Sequence, residues 1–256
     1  MNDKYDFSDV TFLIPVRVDS LYRLENLQLC IHFLQRYFHT SIKVLEANKY
    51  NNHLIEHLCR GIEYLFVKDM DDVYHRTKYQ NLLVENVQTP YISIWEADIL
   101  AYPERMVEAL EQLRAEKAEV AYPYNGMALD TSFLLREYYA KTRDLSVLQK
   151  NTRLMNAMYD KTDLPGGAIF YNKEAYIKGG KDDERFYGWG NEDYERHLRW
   201  QTLGYRIFRA DSVIFHLSHT RGDNSQYISE YRHDYSIRML TEVQNSSCEE
   251  LLVNKE

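Results

Sequence analysis

A regular alternation of apolar runs and helical segments constrains the fold of this chain more than any other feature. Val10–Ile14 is a short run of β-branched and apolar residues, which predicts a buried strand. The spacing of leucine and isoleucine predicts a helix over 21–38, and further strands are predicted over 42–46 and 62–67. Strands that alternate with helices indicate a parallel sheet in an α/β protein. Ligands bind such sheets beyond the carboxyl ends of the strands, so we expect the functional residues there.

The same alternation continues through most of the chain. Helices are predicted from Tyr74, over Pro103–Arg114, from Asp193 to about residue 203, and over 226–243, and strands over 91–95, 119–124, 168–171, 205–209 and 212–215. Residues 126–160 are mixed and helical, and we interpret them as an acceptor-binding insert. The polar tail from Gln244 is predicted to fray.

Length and charge limit the classes of function. The 256 residues allow one large domain or two small ones, and the formal net charge of −8 argues against general nucleic-acid binding. The three cysteines lack metal-type or redox-type spacing, which fits a reducing compartment. The N-terminus lacks an apolar signal segment, and no run of 18 apolar residues occurs. We therefore expect no membrane span and a cytoplasmic location, peripheral at most on the inner membrane face.

The segment 188–195 carries the first candidate site. Gly188 and Gly190 flank Trp189, whose flat apolar face suits a sugar ring. Glu192 and Asp193 follow at a predicted helix start, where acids suit the helix dipole. Acids are also common in ordinary first turns, so a plain loop-to-helix junction remains an alternative.

A second acidic pair and a pair of histidines predict a metal site. Glu96 and Asp98 follow the predicted strand 91–95, and strand alternation would place them on one side. Two such carboxylates can hold Mg²⁺ or Mn²⁺ against nucleotide phosphates, although acids in a turn are the alternative. His216 and His219 lie at a late strand end, where they are either metal ligands or a structural pair.

Cations and glycines complete the candidate residues. Arg17 and Asp19 follow the first strand, and Arg76 with Lys78 opens a helix, where they either face a diphosphate or form a solvated face. The Gly166-Gly167 pair before a strand indicates close approach of the backbone to a ligand. No glycine-rich phosphate loop occurs, which excludes the dinucleotide fingerprint and the P-loop.

In this order the motifs resemble the catalytic domain of the β-1,4-galactosyltransferase family, over roughly residues 12–221. Ile14-Pro15-Val16-Arg17 resembles its Pro-Phe-Arg motif, and Glu96-Ala97-Asp98 stands where that family has Asp-Val-Asp. Four further motifs match in sequence order: the helix 74–81, the pair Gly166-Gly167, the segment Tyr187-Gly188-Trp189-Gly190-Asn191-Glu192-Asp193, and His216-Leu217-Ser218-His219-Thr220-Arg221.

The resemblance implies a fold. It predicts the GT-A architecture, a single Rossmann-like α/β domain over 1–256 with a mixed central sheet flanked by helices. The nucleotide-binding half would span about 8–125, and the acceptor and catalytic half about 126–245.

The resemblance also implies residue roles. Arg17 and Arg76 would contact the diphosphate of a UDP-sugar, and Asp98, His216 and His219 would bind Mn²⁺ or Mg²⁺. Glu192 and Asp193 would hold donor and acceptor hydroxyls, with Asp193 as the general base. The other residues assigned to substrate binding are Pro15, Asp19, Lys78, Glu96, Leu164, Gly166, Gly167, Tyr187, Trp189 and Gly190.

Four positions distinguish this chain from the family pattern or bear on its specificity. Glu96 replaces the family's first aspartate, Asn191 replaces a glycine of the mobile loop, and His216 replaces methionine, which favours a harder metal such as Mn²⁺. Near Leu164 the family has a tyrosine that crowds the sugar's 2-position. A smaller aliphatic residue admits an N-acetyl group there, so Leu164 points to UDP-GalNAc.

The resemblance therefore predicts a metal-dependent inverting transferase. The enzyme would move Gal or GalNAc from a UDP-sugar to a carbohydrate acceptor, in polysaccharide or oligosaccharide assembly. The resemblance is also compatible with a homo-oligomer. The alternatives are a retaining transferase on the same fold and an inactive sugar-binding or nucleotide-sugar-binding protein. A nucleotidyltransferase would need a glycine-rich basic loop after the first strand, which residues 16–21 lack.

Overall fold

A computed structural model describes residues 4–159, 163–220, 222 and 227–253. The strands are β1 Tyr5–Val16, β2 Phe38–Asn48, β3 Glu63–Lys68, β4 Tyr91–Trp95, β5 Ile99–Ala101, β6 Val120–Tyr122, β7 Met127–Asp130, β8 Asn156–Ala157, β9 Ala168–Asn172, β10 Ile207–Arg209 and β11 Val213–His216. The helices are α1 Leu21–Tyr37, α2 Leu54–Leu58, α3 Arg76–Val84, α4 Pro103–Arg114, α5 Ser132–Thr142, α6 Ser146–Gln149, α7 Lys173–Lys178, α8 Glu192–Thr202, α9 Glu230–Asn245 and α10 Cys248–Val253, with a 3₁₀ turn at Thr152–Leu154.

The described strands form a large mixed sheet and a smaller second sheet. The large sheet has the order β10-β6-β9-β4-β1-β2-β3, in which β9 runs antiparallel to both of its neighbours. The small sheet has the order β5-β11-β7-β8. This mixed α/β architecture confirms the predicted fold class. Each sheet pairs strands from before and after the predicted division at residue 125: β4 pairs with β9 in the large sheet, and β5 pairs with β11 in the small sheet.

The apolar core lies on the central strands of the large sheet. Phe12, Leu13 and Ile14 of β1 are fully buried, and β4 contributes Ile92 and Trp95. A strand buried on both faces reads as a continuous apolar run, which is why the sequence revealed these two strands. The core therefore holds the carboxyl ends of β1 and β4 in fixed positions beside each other.

Several predicted boundaries differ from those of the structure. Strand β4 ends at Trp95, and Glu96 to Asp98 form a turn closed by the Ile99 N–H on the Glu96 carbonyl, at 3.3 Å. The argument from strand alternation for this acidic pair was therefore wrong. The following strand β5 was not predicted, and it carries the chain into the second sheet.

Two more segments contain elements that were not predicted. The stretch 126–160, interpreted as mixed and helical, holds α5, α6 and the 3₁₀ turn, and it also holds strand β7. The polar tail contains α10, because Ser247 and Glu250 form a capping box: the Ser247 N–H donates to Glu250 Oε2 at 2.8 Å, and the Glu250 N–H donates to Ser247 Oγ at 3.3 Å. The predicted start of α9 at Gln226, like Asp160 and Arg221, lies outside the described residues.

Candidate active site

The turn after β4 and the end of β11 meet because two short strands pair. In the antiparallel β5–β11 ladder, His216 lies opposite Ile99, the residue that follows Asp98. The Leu217 N–H then donates to the Asp98 carbonyl at 2.8 Å, and buried Asn26 donates to the Leu217 carbonyl at 2.8 Å. These bonds fix the backbone on which the histidines lie.

Asp98, His216 and His219 form the compact cluster that this pairing creates. Their ligand atoms all lie within 4.8 Å of one another. His219 Nε2 is 3.1 Å from Asp98 Oδ2, and His216 Nε2 is 3.8 Å from the same oxygen. One carboxylate oxygen and two imidazole nitrogens are a donor set that can hold a divalent metal ion.

Unsatisfied atoms support this cluster as a cation site. Among the described residues, Asp98 Oδ1 and His216 Nδ1 are buried with no hydrogen-bond partner. Buried polar atoms normally have partners, so the unpaired Asp98 Oδ1 is available to bind a cation. His219 Nδ1 lies 2.9 Å from the Thr220 carbonyl, an orientation that leaves Nε2 directed at the cluster.

The charges of the cluster interact strongly. Burial raises the pKa of Asp98, but the charges of His216 and His219 outweigh it and hold the pKa well below its usual value. Burial lowers the pKa of His219, and the hydrogen bond and charge of Asp98 outweigh that effect and raise it. The charges of Asp98 and His219 therefore stabilise each other.

A cavity of about 150 Å³ opens next to this cluster. Its lining includes the predicted residues Pro15, Arg17, Asp19, Arg76, Glu96, Asp98, Trp189, Glu192, His216 and His219. A second cavity of about 610 Å³ adjoins it and is lined by Leu164, Gly166, Gly167, Gly190 and Asp193, among others. Arg76, Glu96, Trp189, Glu192 and His216 line both cavities. The predicted metal ligands and the predicted base thus open onto one continuous cleft.

Arg76 lies at the centre of the acids in this cleft. Its Nη2 is 2.5 Å from Glu96 Oε1, and its Nη1 is 3.7 Å from Glu192 Oε1. Burial would lower the pKa of Arg76, but the charges of Glu96, Asp193 and Glu192 raise it well above its usual value. Glu96 is therefore engaged with Arg76, whereas Asp98 is engaged with the histidines.

Arg17 lines the cleft and also forms hydrogen bonds that connect neighbouring segments of the fold. Its three nitrogens donate to the Ala47 carbonyl at 3.0 Å, the Asp72 carbonyl at 3.0 Å and Asp69 Oδ2 at 2.5 Å. These contacts tie the end of β1 to β2 and to the loop after β3. Three of the five N–H donors of Arg17 are used in these contacts, which hold that loop.

The Gly-Trp-Gly segment enters α8 through backbone angles that most residues avoid. Gly188 and Gly190 have φ of 91° and 116°, and Asn191 at the N-cap has φ of 64°. A side chain on Gly190 would lie 2.5 Å from the ring of Tyr227. These glycines therefore allow residues 227–228 to pack over the segment, while Trp189 faces both cavities.

Glu192 and Asp193 differ in environment although they are adjacent. Glu192 is 5% exposed, and its burial, followed by the charge of Asp193, raises its pKa to about 7. Asp193 Oδ1 pairs with buried Arg196, and its Oδ2 lies against Gly166. A Cβ on Gly166 would overlap that oxygen and lie 2.9 Å from Asp193 Cγ. Glycine at 166 is thus required by the approach of the carboxylate to this backbone.

Two predicted substrate-binding residues lie outside both cavities. Lys78 is exposed on α3, two positions after Arg76, and a helix turns by about 200° over two residues. Tyr187 is partly buried, its hydroxyl bonds to Asp71, and Arg232 lies 5.1 Å from its ring centroid. The structure therefore brings together all of the predicted site residues except these two.

Sequence reasoning missed one cation in the cleft. Arg23 of α1 lines the smaller cavity, and its Nε is 3.1 Å from Asp19 Oδ1. Asp19 and Arg23 are four residues apart and flank the N-cap Ser20, whose hydroxyl accepts from the Arg23 N–H. That i,i+4 spacing at a helix start was the signal available in the sequence.

Comparison with known proteins identifies the family. A family model described as "Glycosyltransferase like family 2" matches residues 12–206. No curated protein matches the sequence. In the part of the chain that the structure describes, no helix has the length and apolar character needed to cross a membrane.

Two solved structures share the fold. One is the catalytic domain of Drosophila β1,4-galactosyltransferase 7 in complex with xylobiose, at 14% identity, with a TM-score of 0.57, covering 95% of this chain and 82% of that chain. The other is a mutant of the same Drosophila enzyme in complex with manganese, UDP-Gal and xylobiose, at 14% identity, with a TM-score of 0.56, covering 90% of this chain and 79% of that chain. The fold is thus that of GT-A enzymes, and the chain belongs to glycosyltransferase-like family 2.

Proposed function

We propose that this glycosyltransferase moves Gal or GalNAc from a UDP-sugar to a hydroxyl of a carbohydrate acceptor, with inversion and with Mn²⁺ as the preferred cation. The observation that carries the proposal is the cleft in which a buried Asp-His-His cluster and a separate carboxylate, Asp193, line adjoining cavities. Inversion needs a base on the face of the sugar opposite the leaving group, and a carboxylate apart from the metal site can serve as one.

The metal-side cavity suits the donor diphosphate. Asp98, His216 and His219 would hold the cation, which when bound neutralises negative charge on the leaving UDP. Arg23 and Arg76 supply further positive charge to the same cavity, and Arg17 holds the loop beside it. One of the Drosophila structures contains manganese and UDP-Gal, which supports this choice of ligands.

The larger cavity suits the transferred sugar and the acceptor. Trp189 offers an apolar face between the two cavities, and Glu192 lines both of them. Asp193 would accept the proton from the attacking hydroxyl. Leu164 lines this cavity beside Gly166. Its carbonyl accepts from Tyr124 Oη at 2.7 Å, which holds the backbone of the residue that would contact the sugar's 2-position. An aliphatic side chain there favours UDP-GalNAc as the donor.

A panel of UDP-sugars with Mn²⁺ tests the proposal, with UDP release as the readout. We expect release from UDP-GalNAc or UDP-Gal that stops when the cation is chelated, and a product of inverted anomeric configuration by NMR. Retention of configuration would support the retaining transferase instead. Binding of the UDP-sugars without any UDP release would support an inactive binding protein. We further propose a role in oligosaccharide or polysaccharide assembly, which extending the panel to mono- and oligosaccharide acceptors will test.

The role of Asp193 is tested by Asp193→Asn. We expect turnover to fall by about 10²–10⁴-fold, the usual contribution of a general base, while affinity for UDP with Mn²⁺ stays unchanged. Asp144→Asn is a matched control, because Asp144 is an exposed acid outside both cavities, and its Oδ1 accepts from the Ser146 N–H at 3.0 Å. Full turnover in Asp193→Asn would remove Asp193 from the role of base.

A further inference from the structure

Arg196 of α8 is a fully buried cation that joins two carboxylates. Its side chain is 1% exposed, its Nη1 pairs with Asp182 Oδ1, and its Nη2 pairs with Asp193 Oδ1. Arg196 lies three residues after Asp193, so the two side chains are neighbours on one face of the helix. Burial of an arginine is costly unless it is paired, and here each terminal nitrogen pairs with a different carboxylate, so Arg196 links Asp182 to Asp193.

Asp182 holds Nη1 of Arg196, the terminal nitrogen that does not contact Asp193. The Asp182 side chain is also 1% exposed, it accepts a hydrogen bond from the Tyr176 hydroxyl, and its backbone N–H donates to Asn81 Oδ1 at 2.9 Å. Burial would lower the pKa of Arg196, but the charge of Asp182 and other neighbours raises it well above its usual value. The guanidinium is therefore charged and held by a carboxylate that is itself fixed.

The contact with Arg196 involves only one oxygen of Asp193. Arg196 takes Oδ1, and Oδ2 is left against Gly166, the glycine that lines the larger cavity. A carboxylate held at one oxygen by a rigid cation cannot rotate freely about its side-chain torsions. The pair Asp182–Arg196 thus fixes the direction in which Oδ2 points.

We propose that Arg196 is a positioning residue for glycosyl transfer: it ties Asp193 to Asp182, so that Asp193 Oδ2 is directed at the acceptor hydroxyl. This inference rests on the proposed role of Asp193 as the base. Arg196 itself does not line either cavity, so it acts through Asp193 and not through contact with substrate.

Arg199 provides a matched comparison on the same helix. Its side chain is also 1% exposed, its Nε is 2.6 Å from Glu195 Oε1, and its Nη2 donates to the Lys181 carbonyl at 2.7 Å. Arg199 therefore fixes α8 to the segment before it without touching Asp193. A loss caused only by disturbed packing of α8 should appear in both arginine variants.

A double-mutant cycle in turnover tests the proposal. Arg196→Met and Arg199→Met are each made in the wild-type chain and in Asp193→Asn, and kcat and the donor KM are measured with Mn²⁺. We expect Arg196→Met to lower kcat by about 10- to 100-fold in the wild-type chain, since a misplaced catalytic group costs that much. The donor KM should stay unchanged, and in Asp193→Asn the same substitution should change kcat by less than about twofold.

Arg199→Met is the control for disturbed packing of α8. Arg199→Met should change kcat by the same factor in both backgrounds. An Arg196→Met effect that is also equal in both backgrounds would overturn the positioning role. Wild-type turnover in Asp193→Asn would instead overturn Asp193 as the base, and the positioning role of Arg196 would fall with it, whereas equal effects in both backgrounds overturn the positioning role alone.

A milder variant keeps the test usable if Arg196→Met does not fold, as judged by circular dichroism. Lysine retains the charge but lacks the planar fork that reaches two carboxylates at once. We expect Arg196→Lys to lower kcat in the wild-type chain and to have no further effect in Asp193→Asn. Equal losses in both backgrounds would contradict the proposal for this variant too.

Discussion

Helices α4 and α8 are of nearly the same length but bury opposite kinds of side chain. The buried residues of α4 are Pro103, Met106, Ala109, Leu110 and Leu113. Those of α8 are Glu192, Glu195, Arg196, Arg199 and Trp200. The buried side chains of α4 are all apolar, whereas α8 buries two acids and two arginines. Their charges pair within the helix, with the segment 179–182 and with Arg76. This difference shows that α8 is built to hold charges in fixed positions beside the cleft.

The largest effect on stability is expected from an unpaired charge on α8. Glu195→Leu leaves Arg199 buried without its carboxylate, and we expect a loss of about 3–5 kcal/mol in the free energy of unfolding. The double variant Glu195→Leu, Arg199→Met removes both charges and should recover part of that loss. Urea unfolding monitored by circular dichroism measures both values. Equal losses in the single and double variants would show that the pairing does not matter.

A cavity beside α4 should lower the free energy of unfolding slightly less, and it should leave the activity of the site unchanged. Leu110 is fully buried, so Leu110→Ala should lower the free energy of unfolding by about 2–5 kcal/mol. Because α4 contributes no residue to either cavity, kcat of the folded fraction should stay unchanged. A loss of kcat as large as that in the α8 arginine variants would break the contrast between the two helices.

A smaller effect on the free energy of unfolding is expected from the ionisation of the Glu192 carboxyl group as the pH rises. Its pKa, raised by burial and by Asp193, is about 7 in the folded chain. The unfolded chain has an ordinary glutamate pKa of about 4.3, so between these values the folded state binds more protons. The free energy of unfolding should therefore fall as the pH rises from about 4.5 to 7, by at most about 3 kcal/mol.

Glu192→Gln should remove this contribution. The difference in free energy of unfolding between Glu192→Gln and the wild-type chain should grow in favour of the variant from pH 5 to pH 8. Glu104→Gln on α4 is the control, because it makes the same substitution at an exposed position outside both cavities. A constant difference for Glu192→Gln would contradict the burial of a titrating acid at this position.

The contrast also explains which parts of the fold the sequence could predict. The bounds of α4 and β4 were predicted as the structure has them, because apolar spacing and a first-turn proline are local signals. The extent of α8 was nearly predicted too, but not its buried charged face. Charged residues normally indicate a solvated face, and only a distant partner such as Asp182 or Gly179 makes their burial tolerable.

The candidate site was predictable in its residue types but not in its geometry. Asp98 and the two histidines were selected from the sequence, yet they meet through the β5–β11 ladder, and β5 was not predicted. Non-local pairing of two short strands leaves no periodic signal in either segment. Lys78 was placed at the site because it and Arg76 are two cations at the start of a predicted helix, whereas the rotation of α3 turns Lys78 away from the cleft.

We propose that Asp98, His216 and His219 together hold the divalent cation that faces the donor diphosphate. Anomalous diffraction from crystals grown with Mn²⁺ and UDP tests this assignment. We expect a manganese peak within bonding distance of the Asp98 carboxylate and of both imidazoles, with phosphate oxygens of UDP nearby. A peak held by Glu96 or Glu192 in place of the histidines, or UDP bound in the cleft without manganese, would contradict it.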